Sequence, residues 1–343
     1  MRVDPNKPVL GFVTQHCCIR VVKEAHCLRK KGYKIRLFTH RVPSYEQIFF
    51  DDINIHKSRK LLKELVKQNE DVDIWHVHNE PTNLVQDVVE MTDKPVVFDV
   101  HDLHACRVGE EIDEHFRASE QRAFDECSGV IHVSEPYGDY GNKFYNYTGP
   151  STVVYSSTPV DWYQKPKNNG GGVVYEGGMH TPLSLKNSPH KDRDFSALAQ
   201  HFMEAEVPLY FYSAVGEGQG LFYKYGWGVN WMGGRDHFRL LSELRQYGWG
   251  LILFPEKSNQ VRWGMPNKLF DYLAAGIPII GTKDTCFGDF IAENGLGINL
   301  SYYDDIPELP DPQPYRENVL KVRDSLSMDN EIKKVERLYD KIL

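Results

Sequence analysis

The 343-residue chain has no run of about 18 apolar residues of the kind that crosses a bilayer, and its start lacks the basic segment and apolar stretch of a secretory signal. The expectation is a soluble, cytoplasmic protein. Peripheral attachment at the inner membrane surface stays open, because a surface helix can dock on lipid without spanning it. Cysteine is sparse: six residues, at 17, 18, 27, 106, 127 and 286, with no CxxC pair. That spacing gives no basis for a redox dithiol or a cysteine-rich zinc site, and free thiols are expected. Cys17 and Cys18 beside His16 are adjacent ligands, poorly placed to close a tetrahedron. There is no HExxH segment, and Ser134, Ser156 and Ser157 sit near strand ends without a nucleophile elbow, which disfavours hydrolysis. Excess positive charge is also lacking, since the formal net charge is -8, so nucleic acid is not the expected partner. No short repeat or low-complexity tract supports a solenoid or a disordered scaffold.

What is present is an alternation of apolar strand-like runs with amphipathic helical segments, in a chain long enough for two domains. Pro8–Thr14, a helical stretch Val21–Lys31, and Lys34–Thr39 make a βαβ opening. Its first turn has no GxGxxG, so no redox dinucleotide cofactor is expected. A helix near 57–69 and strands at 73–78, 95–102 and 129–134 continue the pattern, and His76, His78 and Glu80 are placed to line a cleft at strand ends. The Pro- and Gly-rich stretch 159–172 marks a junction. Residues 1–160 read as an N-terminal Rossmann-like domain, 173–325 as a second one, and 326–343 as a terminal helix. The prolines at 307, 310, 312 and 314 read as breaks before that helix.

The densest signal is Met265–Ile280. Pro266 suits a first helical turn, Leu269, Phe270, Leu273 and Ala274 form a stripe, and Gly276 with Pro278 stops the helix before a β-branched strand. Such a helix start directs backbone N–H groups at a phosphate, and Asp271 one turn in can accept from a ribose diol. Upstream, Val173–Glu176 leads into Gly177 and Gly178, which let a chain turn closely beside a diphosphate. An ordinary turn and an ordinary helix fit these residues equally well when each is taken alone.

Together, Val173–Met179 and Pro266–Tyr272 resemble the donor-side signature of GT-B nucleotide-sugar glycosyltransferases, the retaining group 1 or glycogen-synthase-like superfamily. The resemblance implies an α/β fold of GT-B architecture, with two Rossmann-like domains facing an interdomain cleft and a C-terminal helix crossing back. It implies a nucleotide diphosphate sugar as donor, a carbohydrate or other hydroxyl-bearing acceptor, retention of configuration and no metal. Donor contacts fall on Gly177, Gly178, Gly216, Gly264, Met265, Lys268 and Asp271. Val97–His104 resembles the opposing loop, which makes His101 the catalytic candidate, with Asp102 to orient it or touch the acceptor.

The chain also departs from the family's pattern. Met179, followed by His180, stands where relatives place an arginine, and Lys191 or Arg193 would have to supply the positive charge. Trp263, eight residues before Asp271, stands where relatives carry an acidic residue for the transferred sugar. Two other readings therefore stay open: a nucleotide-sugar epimerase, and a catalytically impaired relative that binds sugar or a partner.

Overall fold

The computed structural model describes residues 2–41, 45–78, 81–167, 170–178, 195–213, 229–254, 258–302 and 305–343. The chain divides into two compact units, Met1–Pro159 with Met328–Leu343, and Val160–Ser327.

In the first unit seven strands, β1 (Val9–Thr14), β2 (Lys34–Thr39), β3 (Asp52–Ile55), β4 (Ile74–His78), β5 (Val96–Asp99), β6 (Gly129–His132) and β7 (Ser151–Val153), form one sheet in the order 3-2-1-4-5-6-7. Every pairing is parallel. Parallel sheets covered on both faces need continuous apolar strands, and β4, β5 and β6 are buried at every position. The order is that of a doubly wound Rossmann sheet.

The C-terminal helix Met328–Ile342 belongs to this unit. Met328, Ile332, Val335, Leu338 and Tyr339 make its buried stripe, at the three- and four-residue spacing of a helix face. It packs against the Ile19–Lys30 helix, and Glu336 anchors it through Lys7 at 3.2 Å and Lys31 at 2.5 Å.

The second unit holds β8 (Val173–Glu176), β9 (Leu209–Tyr212), β10 (Val229–Trp231), β11 (Trp249–Ile252), β12 (Ile279–Thr282) and β13 (Gly297–Leu300), in the order 10-9-8-11-12-13. It too is parallel throughout. The prolines before the terminal helix act differently from the expectation of breaks alone. Pro312 precedes and Pro314 lies within the first turn of a helix at Gln313–Val322, where proline's fixed φ and missing N–H cost nothing.

Candidate donor and acid–base sites

In doubly wound sheets, ligands sit beyond the carboxyl ends of the strands where the winding reverses. That reversal lies between β1 and β4 in the first unit and between β8 and β11 in the second. Each position carries a distinctive group of side chains.

In the second unit β8 ends at Glu176, and Gly177 follows with φ +128°, which L side chains rarely adopt. The Gly177 N–H donates to the Tyr212 carbonyl at 2.9 Å, and the Tyr175 hydroxyl donates to the Gly178 carbonyl at 2.9 Å. A methyl group on Gly177 would lie 3.4 Å from Lys268 Nζ. The ammonium therefore sits against the bend. It also lies 5.1 Å from the Tyr175 ring centre and 5.2 Å from that of Phe254. Lys268 is half-buried rather than a solvated surface charge.

Lys268 is carried by the helix Asn267–Ala275, which starts after Pro266 with no side-chain cap and ends at Gly276 in the left-handed region. An uncapped start leaves first-turn N–H groups for an anion. Just before it, Gly264 donates to the Gln260 carbonyl at 3.1 Å, and a Cβ on Gly264 would come within 2.6 Å of that oxygen. Met265 is buried. Trp263, half-buried, ends the preceding helix, Asn259–Trp263.

Asp271 is 2% exposed, and its Oδ1 lies 3.6 Å from Nε2 of His237, at the start of the His237–Leu244 helix. His237 carried no signal in sequence, because only the fold brings it to Asp271. Tyr272 was equally silent. Its hydroxyl donates toward the carbonyls of Val174 at 3.1 Å and Leu251 at 3.2 Å and accepts from the Glu176 N–H at 3.2 Å. It thereby ties the Lys268 helix to β8 and β11. Gly250 makes this reach feasible, since a Cβ there would be 2.4 Å from the Tyr272 ring. Gly216, Met179, His180, Lys191 and Arg193 lie outside the described residues, as does Glu80 of the first unit.

In the first unit, β4 and β5 deliver His76, His78 and Asp99, and the Ile19–Lys30 helix delivers Arg20 and Glu24. All are 0–2% exposed. His76 and His78 therefore do not line a cleft at the strand ends; they are stacked inside, with ring centres 4.5 Å apart. Glu24, His76, His78 and Asp99 bring their ligating atoms within 4.8 Å of one another. Arg20 already supplies a cation there. Its guanidinium holds Asp99 through two bonds of 2.9 Å and reaches Glu24 at 3.1 Å. Burial and the neighbouring Asp99 charge push the Glu24 carboxyl up to about 8, so Arg20 serves one anion, Asp99, and a neutral neighbour.

His101, 17% exposed, stands at the edge of this cluster. Its Nε2 lies 3.4 Å from Asp99 Oδ2 and 3.2 Å from His78 Nδ1, and its Nδ1 lies 3.9 Å from Cys18 Sγ. Burial opposes its charge, but Asp99 and Cys18 outweigh burial and raise it to about 10. Asp102 pairs with Arg107 at 2.9 Å. Both line a pocket of about 300 Å³ with His16 and His104, where His104 stacks on Phe116 with ring centres 3.9 Å apart.

Two parallel doubly wound units with a returning C-terminal helix define the GT-B fold. The solved structures agree. Anabaena Alr3699/HepE in complex with UDP and glucose superposes with a TM-score of 0.73 at 11% identity, covering 97% of this chain and 100% of that one. Sucrose-phosphate synthase from Thermosynechococcus elongatus gives 0.66 at 12% identity, covering 98% and 96%. WaaG, a glycosyltransferase involved in lipopolysaccharide biosynthesis, gives 0.58 at 14% identity, covering 95% and 94%. In sequence, residues 193–327 match the family model of the glucosyltransferase 3-like C-terminal domain. No curated protein sequence matches the chain.

Proposed function

We propose that the chain is a glycosyltransferase that moves a sugar from a uridine diphosphate sugar to a hydroxyl-bearing acceptor, with retention and without a metal. The observation that carries this reading is the Gly177–Lys268 cradle at the reversal point of the second sheet. There a bend without a side chain, an ammonium and an uncapped helix start converge on one place, the combination a diphosphate needs. Lys268 lies inside the segment that matches the glucosyltransferase 3-like domain. Uridine is favoured because HepE, similar in fold over its whole length, is solved with UDP and with UDP-glucose.

In the proposed reaction the bond from the anomeric carbon to the diphosphate oxygen breaks, and a bond to the acceptor oxygen forms on the same face. The acceptor's proton passes to the departing diphosphate. Lys268 and the backbone N–H groups stabilise the charge that grows on that leaving group, which supplies the electrostatic part of catalysis. Asp271 holds the nucleotide's ribose, and His101 contributes positive charge to the transfer.

The test is a mass-spectrometric screen of UDP-sugars against cellular acceptors with a no-acceptor control. Acceptor mass gain with release of UDP is the expected result. Isomerised donor without acceptor gain would instead assign an epimerase, and specific binding without either reaction would assign a sugar-binding module.

A further inference from the structure

The buried cluster in the first unit surrounds the proposed catalytic histidine with more ionisable groups than a packed core requires. His101 is the one imidazole of the three that reaches the surface; His76 and His78 are closed off at 0% exposure. The groups that face it are Asp99 from β5, His78 and His76 from β4, and Cys18, Arg20 and Glu24 from the first helix and its start.

We propose that Asp99, anchored by Arg20, is the positioning residue for His101: it accepts the Nε2–H and fixes the ring as a cation directed at an anionic substrate. The proposal rests on the glycosyltransferase reading for its purpose, but its geometry stands in this unit alone.

Hydrogen-bond bookkeeping supports it. His78 Nδ1 lies 3.0 Å from Asp99 Oδ2 and 3.2 Å from His101 Nε2, and its own Nε2 is buried with no hydrogen-bond partner among the described residues. A neutral His78 is the form that arrangement fits, and burial pushes its titration well below the ordinary value. With His78 neutral, the Asp99 carboxylate at 3.4 Å is the charged acceptor for the His101 Nε2–H, and His78 Nδ1, at 3.2 Å, is an uncharged neighbour of the same atom. Cys18 Sγ, on the other side of the ring, lies 3.9 Å from Nδ1, within reach to accept from it. Both ring nitrogens of His101 therefore face acceptors, the arrangement that favours imidazolium over either neutral tautomer. Burial resists charge on Asp99, but Arg20 overcomes it and holds the carboxyl well below its usual range, so the acceptor stays ionised. Arg20 thus acts on His101 indirectly, through the two bonds of 2.9 Å that keep Asp99 aimed.

The experiment is a pH titration of the imidazole resonances of the full chain by NMR, with His101 assigned by its absence in H101Q. Wild-type His101 is expected to stay protonated through pH 8, and in D99N to titrate well below the wild-type position, because burial and Arg20 are then opposed by Cys18 without the Asp99 carboxylate. A wild-type His101 that titrates near or below about 6.5 overturns the proposal, and this readout holds even if D99N fails to fold. A D99N protein that folds with His101 unshifted overturns it equally. The titration needs no substrate, so the two ideas separate. A charged His101 in a chain that turns over no UDP-sugar leaves the relay standing and removes the transferase; turnover with a neutral His101 does the reverse. With UDP-glucose as donor, an active wild type should hold its rate from pH 6.5 to 8 and D99N should lose it over that interval, which a merely structural role for Asp99 would not produce.

Discussion

The two reversal points solve the same problem, presenting positive charge at the end of a parallel sheet, with opposite materials. In the first unit the charge is assembled from buried side chains: Arg20, Asp99, Glu24 and three histidines, each dependent on the others' protonation. In the second it comes from backbone and shape, through Gly177 at positive φ, an uncapped helix start and one half-buried lysine. A buried charge network fails as a whole when one member goes, because removing one partner strands another in low dielectric. A backbone cradle loses affinity in steps while the fold persists. Folding energy and site chemistry are therefore one quantity in the first unit and nearly separate in the second.

The sharpest way to break this contrast is R20A. It strips the buried Asp99 carboxylate of its two guanidinium hydrogen bonds and leaves His101 as the cation beside it, and should cost the first unit about 3–5 kcal/mol. Amide hydrogen exchange at β1, β4 and β5 reads it directly, and protection in β8, β11 and β12 should stay unchanged. Equal loss in both units would end the distinction.

The next effect is pH dependence. The folded pKa of His101 is raised to about 10. Its contribution to stability is complete below its unfolded value of about 6.5 and is lost as pH rises toward 10, with a slope of at most about 1.4 kcal/mol per pH unit. Glu24, raised to about 8, adds the same sign between its ordinary value and 8, because the native state keeps a proton that the unfolded chain releases. Denaturant titrations read by exchange at β4 and β5 should therefore show falling stability from neutral to alkaline pH, steeper than at β11 and β12. A flat profile would show that the network does not hold its protons.

For the second unit, K268A should weaken UDP binding by about 10- to 100-fold, the value of one charge-assisted contact to a phosphate, with little change in melting temperature. Calorimetric titration with UDP measures the first and thermal unfolding the second. A large stability loss with unchanged affinity would make Lys268 a packing residue, held by the rings of Tyr175 and Phe254.

Much of this was legible in the sequence, for reasons that differ by element. Strands β1, β2, β4, β8 and β11 are apolar runs between turn signals, and the Asn267–Ala275 helix announces itself by its proline start and glycine stop. The short edge strands β3 and β10 have partly exposed faces and carry no such run, so periodicity passes over them. Motif resemblance located Gly177 and Lys268, and the fold brings them together. It pointed to Asp102 beside His101; Asp99 stands 3.4 Å from the His101 ring, and Asp102 pairs with Arg107. The reason is geometric: His78 and Asp99 are paired in register across β4 and β5, a neighbour relation that exists only once the sheet forms. His237 and Tyr272 were invisible on the same ground, since nothing local in a chain says which helix a side chain will meet.

Tyr272 gives the finest test of the division between the units. Its hydroxyl joins the Lys268 helix to two strands, and burial holds its proton on, well above the ordinary tyrosine range, so it stays a donor at any working pH. Y272F keeps the ring that fills the space opposite Gly250 and removes only the oxygen. The Val174 and Leu251 carbonyls lose a donor and the Glu176 N–H loses its acceptor, so the expected loss of stability is about 1–3 kcal/mol. If the cradle depends on shape alone, UDP affinity should follow K268A far less than it follows the wild type, weakening by no more than about threefold. A loss as large as that of K268A would mean that the hydroxyl fixes the position of the ammonium over Gly177. The second unit would then resemble the first after all, with a buried polar group on which its charge depends.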